Sequence, residues 1–258
     1  VEPISGPVPV IGTLPAVGRV EGERTAPTAN ENHTFTLGDV LGAIAEGRRP
    51  IDIAFQAETT QIVEKLRDLA RPGEPLIALL ASAERQAGTT AASLAIAYTS
   101  ALAGHRVLLV DGASATAELS SVFAPDLSQD HPCVLDNKQH LAEITWFDSR
   151  SGLGLLPIAL ADLRRMTPTQ RRRFGVGLGR LAKDYDLVII DGGGIDDDQA
   201  IGALTSVATI VIPVVPKGTD LNRSSGRVLG ALGTGIDQMP GAIVTPAPGS
   251  MKIATDAA

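Results

Sequence analysis

Cysteine is nearly absent from this sequence, since Cys133 is the only one among 258 residues. A single cysteine excludes an internal disulfide framework and any CxxC metal site. Aromatic residues are also scarce, at 3% of the chain, whereas 44% of the residues are hydrophobic. The core must therefore be aliphatic and closely packed, which favours helices laid on a parallel sheet.

Long apolar runs and an excess of basic charge are missing as well. No run of about eighteen apolar residues occurs, so the chain does not span a bilayer by itself. The 29 acidic residues outnumber the 22 basic ones, and the formal net charge is −7. Because neutralising phosphates requires a basic face, we expect no nucleic-acid partner.

The chain divides into two parts by composition. Residues 1–50 are rich in proline and contain a polar stretch from Glu21 to His33 without an apolar period, which predicts an extended arm or linker. Residues 51–258 are predicted to form one domain. It opens with an amphipathic helix between Asp52 and Ala70, where apolar residues recur at helical spacing.

From Pro75 onward, strand and helix patterns alternate. Strands are predicted at 76–81, 106–111, 153–158, 186–191, 209–215 and 241–244. Helices are predicted at 89–103, 168–183, 199–206 and 222–232. The strands are continuous apolar runs, which indicates that both faces of the sheet are covered. The sequence therefore predicts an α/β fold, a doubly wound, mostly parallel sheet with helices on both faces.

Ligands of such sheets bind beyond the carboxyl ends of the strands. The turn at residues 82–90 lies where a phosphate-binding loop would lie, and two other strands end in Asp111 and Asp191. Two strand-terminal aspartates beside a threonine-rich loop suit a Mg²⁺-nucleotide site. Asp196 to Asp198 would either draw Mg²⁺ to the same place or form an acidic helix start.

Four blocks of the sequence carry a resemblance to a known family. They are Thr89–Ala95 at a helix start, Arg106–Asp111 and Tyr185–Asp191 at strands, and Gly6–Pro15 in the arm. Together they resemble the cytoplasmic domains of bacterial polysaccharide co-polymerases and their tyrosine autokinases. That family belongs to the deviant-P-loop group, which also includes the chromosome-partitioning ATPases.

The resemblance implies a P-loop NTPase-like fold at the cytoplasmic face of the bacterial inner membrane, with the arm following a transmembrane helix of a longer protein. It also implies a role in exopolysaccharide polymerisation and export. The implied partners are the membrane-embedded part of the same or a partner co-polymerase, polysaccharide export and polymerase proteins, and further copies of the tethered domain.

The phosphate loop departs from the working pattern GxxxxGK[ST]. A residue near Ser82 replaces the first glycine, Ala87 or Gly88 replaces the lysine, and no lysine occurs between Lys65 and Lys138. A lysine at this point neutralises the β and γ phosphate oxygens. The sequence therefore predicts a vestigial loop that needs no cofactor and has no catalytic residue; its remaining anion-binding residues would be Arg85, Gly88, Thr89 and Thr90.

Two alternatives remain open beside this regulatory or scaffold interpretation. In an active ATPase or tyrosine autokinase, Arg85 would replace the lysine, ATP and Mg²⁺ would be cofactors, Asp111 and Asp191 would be catalytic, and Thr89 would join them in holding the metal. A stand-alone ATPase of the partitioning type is the other alternative.

Three further features bear on these alternatives. The family's kinases phosphorylate a C-terminal tyrosine cluster, whereas this chain has only Tyr98 and Tyr185, both interpreted as structural. The family's Glu-x-x-Arg-x-x-Arg pattern between subunits is replaced by Glu58, Gln61 and Glu64. One basic cluster is either a solvated helix face or a surface held near anionic lipid; its members are Arg164, Arg165, Arg171, Arg172 and Arg173.

Overall fold

A computed structural model of the chain describes residues 4, 6–15, 34–35, 50–84, 86–113, 119–120, 138–158, 166–195, 201–233 and 238–246. The strands are β1 (Val10–Thr13), β2 (Thr34–Phe35), β3 (Leu76–Ser82), β4 (Val107–Asp111), β5 (Trp146–Asp148), β6 (Gly154–Leu156), β7 (Leu187–Gly194), β8 (Ile210–Pro216) and β9 (Ala242–Thr245). The helices are α1 (Pro50–Leu69), α2 (Thr89–Leu102), α3 (Lys138–Glu143), α4 (Pro168–Ala182), α5 (Ile201–Thr205) and α6 (Leu221–Leu232).

Within this described part, the strands form one sheet in the order β1-β9-β8-β3-β7-β4-β6-β5-β2. Every neighbouring pair is parallel except β5 and β6, which are antiparallel. One apolar core contains α1 and α2 and another contains α4 and α6. The predicted α/β fold, doubly wound and mostly parallel with helices on both faces, is confirmed.

The central strands explain why the sequence forms this sheet. Every residue of β3 and β4 is buried, as is β7 up to Gly192, so both faces of these strands contact helices. On α1, Ile62 and Leu66 are buried while Glu64 and Arg67 are exposed, as helical spacing requires. Among the described residues, no helix is both long and apolar enough to cross a bilayer.

The arm at the start of the chain is packed where the structure describes it. Strand β1 lies at the edge of the sheet, parallel to β9, and both Ile11 within the strand and Leu14 directly after it are buried. Lys65 Nζ of α1 donates a hydrogen bond of 2.7 Å to the Ile11 carbonyl oxygen. Residues 8–14 thus differ from the extended arm predicted for 1–50, because an edge strand tolerates the neighbouring prolines that made the segment resemble a linker.

An ion pair joins the starts of β4 and β7. Arg106 Nη2 lies 2.6 Å from Asp186 Oδ1, and the Arg106 backbone N–H donates to Asp186 Oδ2 over 2.9 Å. The side-chain and backbone hydrogen bonds from Arg106 lower the pKa of Asp186 below its usual value. The ionised Asp186 carboxylate therefore stabilises the fold at pH values above the pKa that Asp186 has in the unfolded chain. This contribution is lost as the pH falls through the pKa of Asp186 in the folded protein.

We expect Asp186→Asn to lower the melting temperature at neutral pH and to have little effect in acid. The side chains of Arg106 and Asp186 are 65% and 44% exposed, so solvent screening limits the change to a few degrees at most. Thermal melts across the acid range measure it, with the exposed Asp68→Asn on α1 as the control. A melting-temperature difference that persists unchanged in acid would mean that the ionised Asp186 carboxylate is not the source of the stabilisation.

Candidate functional site

The two aspartates predicted at strand ends lie together near the carboxyl edge of the sheet, where Asp111 ends β4 while β7 continues past Asp191 to Gly194. In the register of β4 and β7, Asp111 is directly opposite Asp191, and Leu80 of β3 is opposite Asp191 on its other side. Both aspartates are fully buried. The parallel strands thus bring the two predicted carboxylates to neighbouring positions beside the end of β3.

Hydrogen bonds within the protein already engage both carboxylates. Asp111 Oδ2 accepts hydrogen bonds from the backbone N–H and the hydroxyl of Ser120, at 2.7 and 2.5 Å. Asp191 Oδ1 accepts one from the backbone N–H of Gly193 at 3.1 Å. The Gly112 N–H also donates to the Asp191 carbonyl oxygen at 2.9 Å, which extends the pairing of β4 and β7 by one residue beyond Asp111.

The loop between β3 and α2 keeps part of a phosphate-loop geometry. Gln86 and Gly88 have φ angles of 55° and 79°, which curl the backbone. Gly88 is the N-cap of α2 and no side chain caps the helix there, so the first N–H groups of α2 remain as anion donors. Thr89 is buried and Thr90 is half-buried.

Glu84 is the residue of this loop that sequence analysis missed. Ser224 Oγ of α6 donates to Glu84 Oε1 at 2.7 Å, and Arg227 Nη1 lies 3.6 Å from the same oxygen. At the other end of the loop, Thr245 Oγ1 of β9 donates to the Ala87 carbonyl oxygen at 2.6 Å. The loop is therefore fastened to α6 and β9 by its own acidic and backbone groups.

The structure tests whether this loop fits a bound nucleotide. Gln86 and Gly88 both have a positive φ, so either can stand for the second glycine of GxxxxGK[ST], which puts Ala87 or Thr89 at the lysine position. The sequence interpretation had Ala87 or Gly88 in place of the lysine. Ala87 and Thr89 are both buried and uncharged, so the described residues of the loop offer one carboxylate and no cation to the phosphates of Mg-ATP, while Arg85 lies outside the described residues.

Some candidate residues lie outside the described part of the chain. These are Arg85, Asp196 to Asp198, Cys133 and the first two arginines of the basic cluster, Arg164 and Arg165. The expectations for these residues stay predictions. Among the described residues, no group of three or more His, Cys, Asp and Glu side chains could hold a metal ion.

Both tyrosines are at least half-buried in the fold. Tyr98 on α2 is only 4% exposed, and burial, followed by the nearby charge of Asp148, raises the pKa of its hydroxyl. Tyr185 is half-buried before β7, and burial and Asp184 raise its pKa. These surroundings fit the structural roles predicted for both side chains.

Solved structures with the same fold place this site in context. The kinase domain of Escherichia coli tyrosine kinase ETK has a TM-score of 0.64 at 17% identity, with 97% of this chain and 95% of that chain covered. The BceF tyrosine kinase domain has a TM-score of 0.59 at 18% identity, with 93% and 94% covered. A complex of Cyanothece McdA with ATP has a TM-score of 0.51 at 17% identity, with 67% and 70% covered.

Comparisons of the sequence with family models and with curated proteins give a different result. No protein-family model and no curated protein matches the chain. At 17–18% identity the likeness to the solved structures is one of fold. The chain has the α/β, P-loop NTPase-like fold of bacterial tyrosine kinase domains.

Proposed function

We propose that this chain is a regulatory or scaffold domain of an exopolysaccharide polymerisation and export system of the co-polymerase type. It works at the cytoplasmic face of the bacterial inner membrane and does not hydrolyse ATP. One observation carries the second part of the proposal. The loop after β3 contains the Glu84 carboxylate, fastened to Ser224, whereas the same loop of a working site contains a lysine.

Electrostatics explain why this loop would be a poor nucleotide site. The β and γ phosphates bring several negative charges, which a lysine normally offsets. The charge-assisted contact of that lysine, which this loop lacks, is worth about 1.5–3 kcal/mol in binding. Glu84 adds a like charge, and the facing Arg227 already pairs with Glu84 at 3.6 Å. Without that positive charge, the transition state for phosphoryl transfer would also be less stabilised, so the reaction would be slower.

We expect no binding of Mg-ATP or Mg-ADP near cellular concentrations and no hydrolysis above background. Titration calorimetry with the purified chain measures the first, and a phosphate-release assay measures the second. Glu84→Gln is a useful companion, because it removes the repelling charge and keeps the side-chain size. A micromolar dissociation constant that Arg85→Ala abolishes would overturn the proposal.

That outcome would favour the second candidate, an active ATPase or tyrosine autokinase in which Arg85 replaces the lysine. The left-handed Gln86 and Gly88 and the uncapped start of α2 support this candidate, because they orient N–H groups toward an anion. Incubation with Mg-ATP followed by mass spectrometry separates the two. Phosphate on Tyr98 or Tyr185 identifies the kinase, and the scaffold gains none.

The proposed scaffold acts through contacts made while it is tethered. Its partners would be the membrane-embedded part of the same or a partner co-polymerase, together with polysaccharide export and polymerase proteins. Tethering raises the effective concentration of neighbouring copies, so weak contacts between domains become populated. On α1, Gln61 and Glu64 are exposed and Glu58 is half-buried, which makes this helix available for such contacts.

A further inference from the structure

Helix α4 presents a stripe of cations to solvent. Its exposed side chains include Arg172, Arg173 and Arg180, continued by Lys183 at the C-cap, and Val176 lies among them with 49% of its surface exposed. We call these five residues the α4 basic face. No acidic residue occurs between Pro168 and Lys183, although the whole chain carries a net charge of −7.

The fold fixes the direction of this face. Phe174, Leu178 and Leu181 of α4 are buried in an apolar core that also contains residues of the central strands, so the residues on the opposite side of the helix point away from the protein. Positions 172, 173, 176, 180 and 183 recur at intervals of three and four after the first pair, which places them on one stripe. The whole basic face can therefore meet one flat surface at the same time.

The four cations of the α4 basic face form no ion pair with the described residues. Within the described ranges, Arg71, Arg106 and Arg227 each pair with a carboxylate, whereas no ion pair joins a cation of the α4 basic face to one. The helix dipole favours positive charge only near the last turn, at Arg180 and Lys183. Neither ion pairing nor the dipole accounts for Arg172 and Arg173, so the fold itself does not require this concentration of charge.

We propose that the α4 basic face binds the surface of an anionic lipid bilayer. Charge complementarity supplies the attraction, and screening over about 10 Å at 0.1 M salt hides the acidic remainder of the chain from the lipid. Val176 would enter the interfacial region while the stems of Arg172 and Arg173 cover apolar surface around it. A nucleic-acid backbone would make no use of the exposed Val176. The inference goes beyond the proposed function, since it requires neither a polysaccharide system nor a tether.

Vesicle sedimentation with the purified 258-residue chain tests the proposal. The chain should bind phosphatidylglycerol–phosphatidylcholine vesicles, bind phosphatidylcholine vesicles much more weakly, and dissociate as salt is added. The test variant replaces all four cations with glutamine, which keeps helix propensity: Arg172→Gln, Arg173→Gln, Arg180→Gln and Lys183→Gln. Each cation near an anionic surface contributes about fivefold, so we expect the loss of all four to weaken binding by about 600-fold.

A second variant matches the first in net charge. It removes four exposed cations from other surfaces: Arg67→Gln, Arg71→Gln, Lys217→Gln and Arg223→Gln. This control should keep vesicle binding within about threefold of the original chain, and melting curves show that both variants are folded. Equal losses in the two variants would overturn the proposal, as would equal binding to both kinds of vesicle. Tighter binding to duplex DNA than to anionic vesicles at the same salt would assign the face to nucleic acid instead.

Discussion

Phe174→Ala is expected to lower the free energy of unfolding by about 3–5 kcal/mol, because a large aromatic side chain leaves a cavity that the surrounding core fills only in part. Phe174 of α4 is fully buried in the apolar core that also contains residues of the central strands, and it is among the largest completely enclosed side chains of the described residues. Natural domains are stable by only about 5–15 kcal/mol. The variant should therefore be marginal, and urea denaturation followed by circular dichroism measures the loss.

Val176→Ala is the matched control for this experiment. It shortens an apolar side chain on the same helix, two residues away, but at an exposed position. Its free energy of unfolding should change by no more than about 0.5 kcal/mol. Similar losses in the two variants would mean that α4 does not pack on the sheet through Phe174.

The second large effect concerns polymer output in cells that depend on this chain, and it rests on the proposed scaffold function. Joint substitution of Glu58, Gln61 and Glu64 by alanine should reduce polymer amount or chain length several-fold. Gln61 and Glu64 are exposed and Glu58 is half-buried on α1, so the melting temperature should change little. The reason is that a contact surface would be lost while the core stays intact.

Asp191→Ala is the counterpart of that experiment at the carboxyl edge of the sheet. Asp191 is fully buried and hydrogen-bonded to the Gly193 N–H, so its loss should act through stability alone. Polymer output would then follow the amount of folded protein. If Asp191→Ala abolished polymer from a normally folded domain while the α1 variant had no effect, the edge of the sheet would be the working part and the scaffold proposal would be wrong.

The sequence predicts the central strands well because burial on both faces leaves a clear pattern. Strands β3, β4 and β7 are continuous apolar runs, and their expected positions differ from the observed ones only at the ends. Strands β2, β5 and β6 have two or three residues each, too few to show a period, and the first two were not predicted. The residues around β1 were interpreted as an arm because prolines and glycines surround its few apolar positions.

The site shows the same division between local and distant signals. The neighbouring positions of Asp111 and Asp191 follow from two apolar runs that each end in an aspartate and form parallel strands, and the structure has this register. The contact of Glu84 with Ser224 joins residues 140 positions apart, so no local sequence pattern around either residue predicts it. The left-handed Gln86 was equally hidden, because non-glycine residues rarely adopt that conformation.

The pairing of the first strand with the last one has a consequence for how the chain folds. Val10 of β1 lies beside Ala242 of β9, and β9 in turn pairs with β8. On the ribosome, the residues of β1 emerge long before those of β9, because strands β2 to β8 lie between the two in the sequence. The edge of the sheet must therefore close late, after a large loss of chain entropy, and partly synthesised molecules carry β1 without its partner.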